Sequence, residues 1–412
     1  MNDRTRTRGL RAAVGIAIAS GGLAFATAAP AAEWYWAPGA AIGADYNDNP
    51  GLSSRADEED SIFGAIGQLS LEVGYLAPTS SGWIRPQIRS RRYGSDDEER
   101  DSDDQFLDFL FRGEDQTSRW GLNGSWSHEQ VRTAELADVI LDPDIPDLPE
   151  DDTGVVNVQG RRDRVRLRPF YERDFSALSA YRLQASFVDT SYDDEAFELR
   201  DYRDLRAEVQ YLRHVNPLMD WVVGVFGRDY SSDERGDAIG YGLRTGIERR
   251  ISETTRLDFL VGVESTDPDD ADSETDYIAD VFLTRRLQTT WLKAGYRRSL
   301  AGSGLGTISA RDEVHLSFRR DLTELISAGL GLRAYRSSAL ADEGTDRDFT
   351  QLRAEFVWRL TQTFSLIGDY RYNFLDREDE PESADSNQAY LYLQWAPQRP
   401  GVQARQRLEP GR

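Results

Sequence analysis

From Phe349 to Trp395 apolar and polar residues change places at every second position, and this period decides what the chain can fold into. Leu352, Ala354, Phe356 and Trp358 fall on one parity, with Arg353, Glu355 and Arg359 on the other. Period two marks a strand with one apolar and one polar face. The chain turns on Thr361 to Thr363, then resumes as Phe364, Leu366, Gly368, Tyr370 and Tyr372 against Ser365, Asp369 and Arg371. That is a hairpin. An acidic loop, Asp376 to Ser386, leads into a last strand with Ala389, Leu391, Leu393 and Trp395 on one face.

The same unit recurs upstream, where nine long connections alternate with eight short turns to give eighteen strand candidates. An up-and-down barrel with both termini in the periplasm has this order: short periplasmic turns, long external loops and an even strand count. The expected fold is therefore all-β, a transmembrane up-and-down antiparallel β-barrel of about 18 strands, with 16 as the nearest alternative, over residues 32–396. A barrel of this size leaves a water-filled channel. A soluble β-propeller or double sandwich would also alternate along each strand, but its connections need not alternate in length.

Composition is compatible with this although only 39% of residues are hydrophobic, 29% are charged and the mean hydropathy is −0.60. Beyond residue 30 no apolar run reaches the roughly 18 residues that a spanning helix needs, which excludes a helical membrane protein. A barrel escapes the test, because only half of its strand residues meet lipid. The N-terminus gives the address. Arg4, Arg6, Arg8 and Arg11 precede the small, apolar run Ala12 to Ala26 and the Ala29-Pro30-Ala31 site, so residues 1–31 read as a secretory signal peptide. Residues 397–412 read as a polar periplasmic tail. The expected location is the outer membrane of a Gram-negative bacterium, with outer-membrane lipid and lipopolysaccharide around the barrel. The chain has no cysteine, so disulfides, thiol catalysis and cysteine metal sites are excluded.

The formal charge of −23 collects in the connections SDDEERDSDD (Ser95 to Asp104), Asp142 to Asp152, Asp267 to Asp276 and Asp376 to Asp385. Such blocks are expected to be solvated, and an acidic surface lacks the basic footprint that nucleic acid requires. Tryptophans check the layout, since aromatic girdles mark membrane interfaces. Trp120, Trp221, Trp358 and Trp395 sit beside short turns or at the chain's last strand end with lipid-side parity. Trp83 and Trp291 break it, which leaves either a register slip or inward rings. Tyr93, Tyr192, Tyr202, Tyr230, Tyr277 and Tyr372 are expected to form the outer girdle.

No catalytic constellation, metal site or cofactor motif emerges. His128, His214 and His315 are scattered, without a second ligand or a nucleophile at motif spacing, so no enzyme activity is expected. The inward face is more informative. Its parity places Arg85, Arg89, Arg164, Arg166, Arg168, Arg182, Arg206, Arg244, Arg297, Arg319, Arg333, Arg353, Arg359 and Arg371 along the lumen. The opposing carboxylates singled out by parity are fewer: Glu72, Asp108, Glu208, Glu248, Asp258, Asp280, Glu355 and Asp369. Lys293 is the only lysine, and arginine forks recognise carboxylate and phosphate bidentately. In the longest connection, Thr133 to Gly160, Leu136, Val139, Ile140, Leu141, Ile145 and Leu148 provide apolar surface to bury. That segment is expected to enter the lumen.

The layout, the arginine-rich strands with acidic loops and the hairpin LRAEFVWRLTQTFSLIGDYRY resemble the β-barrel porin 2 family, found with exopolysaccharide and capsule export systems. The resemblance implies an outer-membrane conduit for polysaccharide, served by periplasmic export proteins, and carries over no functional residues. The polar tail after Trp395 departs from barrels that stop at a terminal aromatic. A general or solute-specific porin and a structural or adhesive surface barrel are the alternatives.

Overall fold

The computed structural model describes residues 32–55, 61–94, 101–136, 139, 141, 153, 155, 158, 160–193, 196, 199–233, 236–269, 272–302, 304–339, 346–378 and 382–397. The expected signal peptide (1–31), the expected tail from residue 398 and most of 137–159 lie outside these residues. The chain forms β1 (Glu33–Asn47), β2 (Ile62–Leu76), β3 (Ser80–Tyr93), β4 (Ser102–Glu114), β5 (Ser118–Gln130), a short helix α1 (Val131–Ala134) and β6 (Arg161–Ser176). Then follow β7 (Ser179–Tyr192), β8 (Tyr202–Asn216), β9 (Met219–Ser232), β10 (Gly236–Ser252), β11 (Thr255–Pro268) and β12 (Glu274–Arg286). The last are β13 (Thr290–Gly302), β14 (Ile308–Asp321), β15 (Ile326–Ala339), β16 (Arg347–Arg359), β17 (Phe364–Arg377) and β18 (Ala384–Trp395).

Every strand pairs antiparallel with its sequence neighbours, and β1 also pairs with β18, which closes an 18-stranded barrel. Closure satisfies both backbone edges, the condition for a sheet that spans lipid. The seam runs from Ala40 opposite Trp395 to Asn47 opposite Gln388. At its external end the Ser386 hydroxyl donates to Asn47 Oδ1 (2.8 Å), while Asn387 donates from its backbone and its side chain to Asp48 (2.6 and 2.8 Å).

The alternation sorts the two faces as the sequence implies. Leu352, Phe356 and Trp358 are 46%, 44% and 43% exposed on the lipid side, while Gln351 and Asp369 are buried on the inside. Trp120 and Trp221 are exposed beside short turns. Trp83 and Trp291 face inward: Arg85 stands 5.1 Å over the Trp83 ring, and Trp291 lies buried opposite Arg319. No register slip is involved. The tyrosine girdle needs correction. Tyr202 and Tyr230 are buried, and the Tyr93 and Tyr192 hydroxyls reach the interior carboxylates Asp45 and Glu135. Among the expected girdle, Tyr277 is outward and exposed and Tyr372 faces outward opposite Leu352, joined by Tyr46 and Tyr241.

Connection lengths also differ from expectation. Most strands run well past the roughly 9–11 residues that suffice to span the bilayer, so they absorb residues assigned to loops. Only residues 233–235 link β9 to β10, where Gly236 takes a φ of 90° that L side chains avoid. Toward the short-turn ends of β7 to β10 the wall is closely packed. A Cβ on Gly246 would collide with the backbone of Phe259, and inward Ala180, Leu212 and Val222 bury one another.

Candidate functional site

The lumen is crossed. After β5 the chain enters α1, and the next residue, Glu135, is fully buried. Its carboxylate accepts hydrogen bonds from Arg162 Nη1 on β6 (2.8 Å), the Tyr192 hydroxyl on β7 (2.9 Å), and both Thr153 N (2.8 Å) and Thr153 Oγ1 (2.7 Å). The adjacent Leu136 packs against Leu52, Tyr335, Phe349, Leu375 and Ala384, four of them on β15 to β18. Farther on, Val139 N donates to Gln351 Oε1 (2.8 Å) and Arg353 Nη1 donates to Val139 O (2.7 Å). Glu135 and Val139 are four residues apart, a reach of at most ~14 Å. Strands nearly opposite in the barrel order are thus joined through its interior.

Glycine makes the landing place. A Cβ on Gly331 would run into the Val139 side chain, and one on Gly329 would press on Leu141. These glycines make room in the wall, and what fills that room is the segment itself. The expectation that residues 133–160 enter the lumen is met by those that are described.

A second element covers the external end. Leu300, Ile308 and Ala310 have lipid-side parity, yet they are buried against Val188, Tyr202, Tyr230 and Ala238. The end of the β13–β14 hairpin therefore bends over the barrel mouth. Arg228 Nη1 donates to Leu300 O (2.9 Å), and Arg200 N to Gly304 O (2.7 Å). Leu305 joins the cluster of Val131, Val155, Val158, Ala196 and Leu199.

Around these covers the wall is a lattice of arginines and carboxylates. Arg206 faces Glu264 (3.4 Å) and lies 3.9 Å over the Phe226 ring. Arg244 forks onto Glu208 and reaches Asp280 (3.4 Å). Arg333 pairs with Glu313 (3.0 Å), Arg319 stands 3.9 Å from Glu355, and Asp369 takes both Arg353 (2.7 Å) and Arg371 (2.8 Å). Arg164 and Arg166 are buried inside the β6 wall, with Arg164 Nη2 donating to the Tyr202 hydroxyl (2.5 Å), and half-buried Arg168 completes the row. Arg359 is exposed beside a short turn and donates to Glu324 O (3.1 Å).

Parity had undercounted both charges. Arg91 pairs with Asp104 (3.0 Å), Arg162 with Glu129 (3.0 Å) as well as Glu135, and Arg228 with Asp204 (2.5 Å). Asp45, Asp104, Glu129, Glu172, Asp204, Glu264 and Glu313 join the inward acids. Asp104 is fully buried instead of solvated in a loop. A buried guanidinium needs such partners because desolvation otherwise outweighs attraction. The inner surface is consequently close to charge-balanced, with few arginines left over.

The histidines also have partners. His315 Nε2 lies 3.0 Å from Ser317 Oγ, both buried, His128 Nδ1 is 3.0 Å from Asp163 and His214 Nδ1 is 2.7 Å from Asp220. The His315–Ser317 pair lies on β14, where Ser317 stands opposite Gly331, the glycine that Val139 covers.

No protein-family model matches the chain, and no curated protein does. Among solved structures it is similar to OccAB4 of Acinetobacter baumannii, at 12% identity over 90% of this chain and 99% of that one, with a TM-score of 0.43. It is also similar to a BenF-like porin of Pseudomonas fluorescens Pf-5, at 8% identity over 88% and 99% of the two chains, with a TM-score of 0.48. The siderophore receptor PirA of Pseudomonas aeruginosa is 10% identical over 87% and 80%, with a TM-score of 0.40.

Proposed function

We propose that this outer-membrane barrel is a channel that passes an acidic exopolysaccharide outward, received from periplasmic export proteins, and that it does no chemistry on its cargo. The observation that carries the reading is the row of guanidinium groups at strand period on β3 and β6: Arg85, Arg89 and Arg91, and Arg162, Arg164, Arg166 and Arg168. Members two residues apart stand ~6.6 Å from each other along the wall, and Arg85 and Arg89, four residues apart, ~13 Å. The carboxylates paired with Arg85, Arg91 and Arg162 favour a mobile polymer. An acidic sugar entering an existing ion pair exchanges one carboxylate for another, so each contact is shallow enough to leave. A bare cationic wall would hold the chain.

A solute-selective porin is the second reading, favoured by the bridge at Glu135 and Leu136, which limits the bore. The two separate on one experiment. Replacing Arg164, Arg166 and Arg168 together by Gln should lower export of an acidic polymer while the barrel still assembles. Unchanged export, or cation preference in reconstituted channels with and without the substitutions, returns the protein to the porin reading.

A further inference from the structure

We infer that the inner face of β18, β1, β2 and β3 is a binding trough for a single acidic glycan chain, an assignment that rests on the conduit reading. Backbone register lays Gln394, Ala41, Gln68 and Arg89 side by side on four successive strands. The neighbouring rows are Gly39, Ser70 and Gln87 below, and Tyr392, Gly43 and Ile66 above. Adjacent strands are ~4.8 Å apart, so Gln394 and Gln68 stand ~9.6 Å from each other with only a methyl group between them. That opening is one side chain deep and wide enough for a sugar ring.

The chemistry of its sides differs from the rest of the wall. At many other places on the wall inward polar groups are committed to one another: Arg85 to Asp108, Arg182 to Glu248, Gln351 to Asn373. Here Gln68, Gln87 and Gln394 make no side-chain hydrogen bond among the described residues and are only half-buried. Arg89 lies 5.0 Å over the Phe106 ring and has no carboxylate within ion-pair distance among the described residues. A guanidinium held by its face keeps its donor edges for a ligand. Tyr392 stacks on Tyr390 with ring centres 5.7 Å apart and planes 10° from parallel, and Arg371 lies 5.1 Å over Tyr390. The trough thus combines an oriented aromatic ring, amides that both donate and accept, and one cationic fork. Sugar rings present a C–H face, hydroxyls and, in uronates, a carboxylate to match.

The test uses the full mature barrel in planar bilayers, with a galacturonate hexamer or neutral maltohexaose added on the short-turn side. Blocking of the ionic current by the uronate hexamer is expected in the parent protein. Ala41→Trp fills the floor and should lower the blocking association constant about tenfold or more. Arg89→Gln should abolish the preference for the uronate over maltohexaose, and serves alone if Ala41→Trp fails to give the heat-sensitive gel mobility of a folded barrel. Blocking in the parent that is unchanged in both variants would overturn the trough while leaving the conduit reading in place. A parent channel that neither saccharide blocks would remove the conduit reading and the trough with it.

Discussion

Replacing Glu135 by Ala should free the bridge across the lumen. The carboxylate is fully buried and accepts from Arg162, Tyr192 and both Thr153 N and Thr153 Oγ1, so its loss removes the acceptor of four donors in the docked state only. Once the segment swings away, water reaches them. Removing one member of a buried ion pair costs about 3–5 kcal/mol. Arg162 keeps Glu129 at 3.0 Å, which argues for the lower end. Some 3 kcal/mol, at about 1.4 kcal/mol per factor of ten, lowers the docked-to-undocked ratio by roughly 100-fold. Single-channel recording in planar bilayers is the assay, and larger or more frequently interrupted conductance is the expected result. Glu135→Gln, which keeps an acceptor for Thr153 but no charge for Arg162, should fall between parent and Ala. If Glu135→Ala barrels are folded, as judged by gel mobility before and after boiling, and conduct like the parent, then Glu135 does not hold the bridge and the reasoning fails.

The parent barrel folded in detergent should itself change gel mobility on boiling, and mobility indifferent to heat would contradict the closed barrel. Gly331→Val places a side chain where Val139 sits, so conductance should rise as with Glu135→Ala but without any change in charge; a conductance equal to the parent's would mean that Val139 is not seated there. Deleting Leu136 to Leu148 removes the bridge and should give the largest conductance of the series, whereas no increase would place the segment outside the bore. Asp48→Ala loses both bonds from Asn387 across the seam and should destabilise the closed barrel by about 1–3 kcal/mol, measured as a lower temperature for the mobility transition; an unchanged temperature would show that the seam is held by its backbone ladder alone.

The architecture was legible because its cause is local. Parity alone says that Leu352, Phe356 and Trp358 share a face, and a closed barrel is the arrangement that gives lipid one face of every strand. What parity could not supply was where each strand ends. A membrane-length strand stops β3 near Arg89 and leaves Asp104 in a loop, whereas β3 runs to Tyr93 and β4 starts at Ser102. Carrying the same alternation two residues farther would have put Arg91 and Asp104 on the inner face together. The same extension would have moved Tyr93, Tyr192, Tyr202 and Tyr230 inward. Proximity to a loop suggested a girdle, but parity, applied consistently, already opposed it.

The bridge was legible only as composition. Leu136, Val139 and Leu141 announce surface to bury, yet their partners lie on β15 to β18, some two hundred residues away, and no local rule reaches that far. The electrostatic consequence is larger than the geometric one. Counted on short strands, the inner face carries a surplus of arginine and draws anions by its net field. On strands of their true length Arg206, Arg244, Arg319, Arg333, Arg353 and Arg371 each meet an acid, and much of the net field is replaced by individual exchangeable pairs. Selection must then occur at contact range, where a group not already committed to the wall matters more than the sum of charges. That is why Arg89, seated on Phe106 with its donor edges unspent, matters beside the buried Arg164 and Arg166, although parity places all three on the inner face alike.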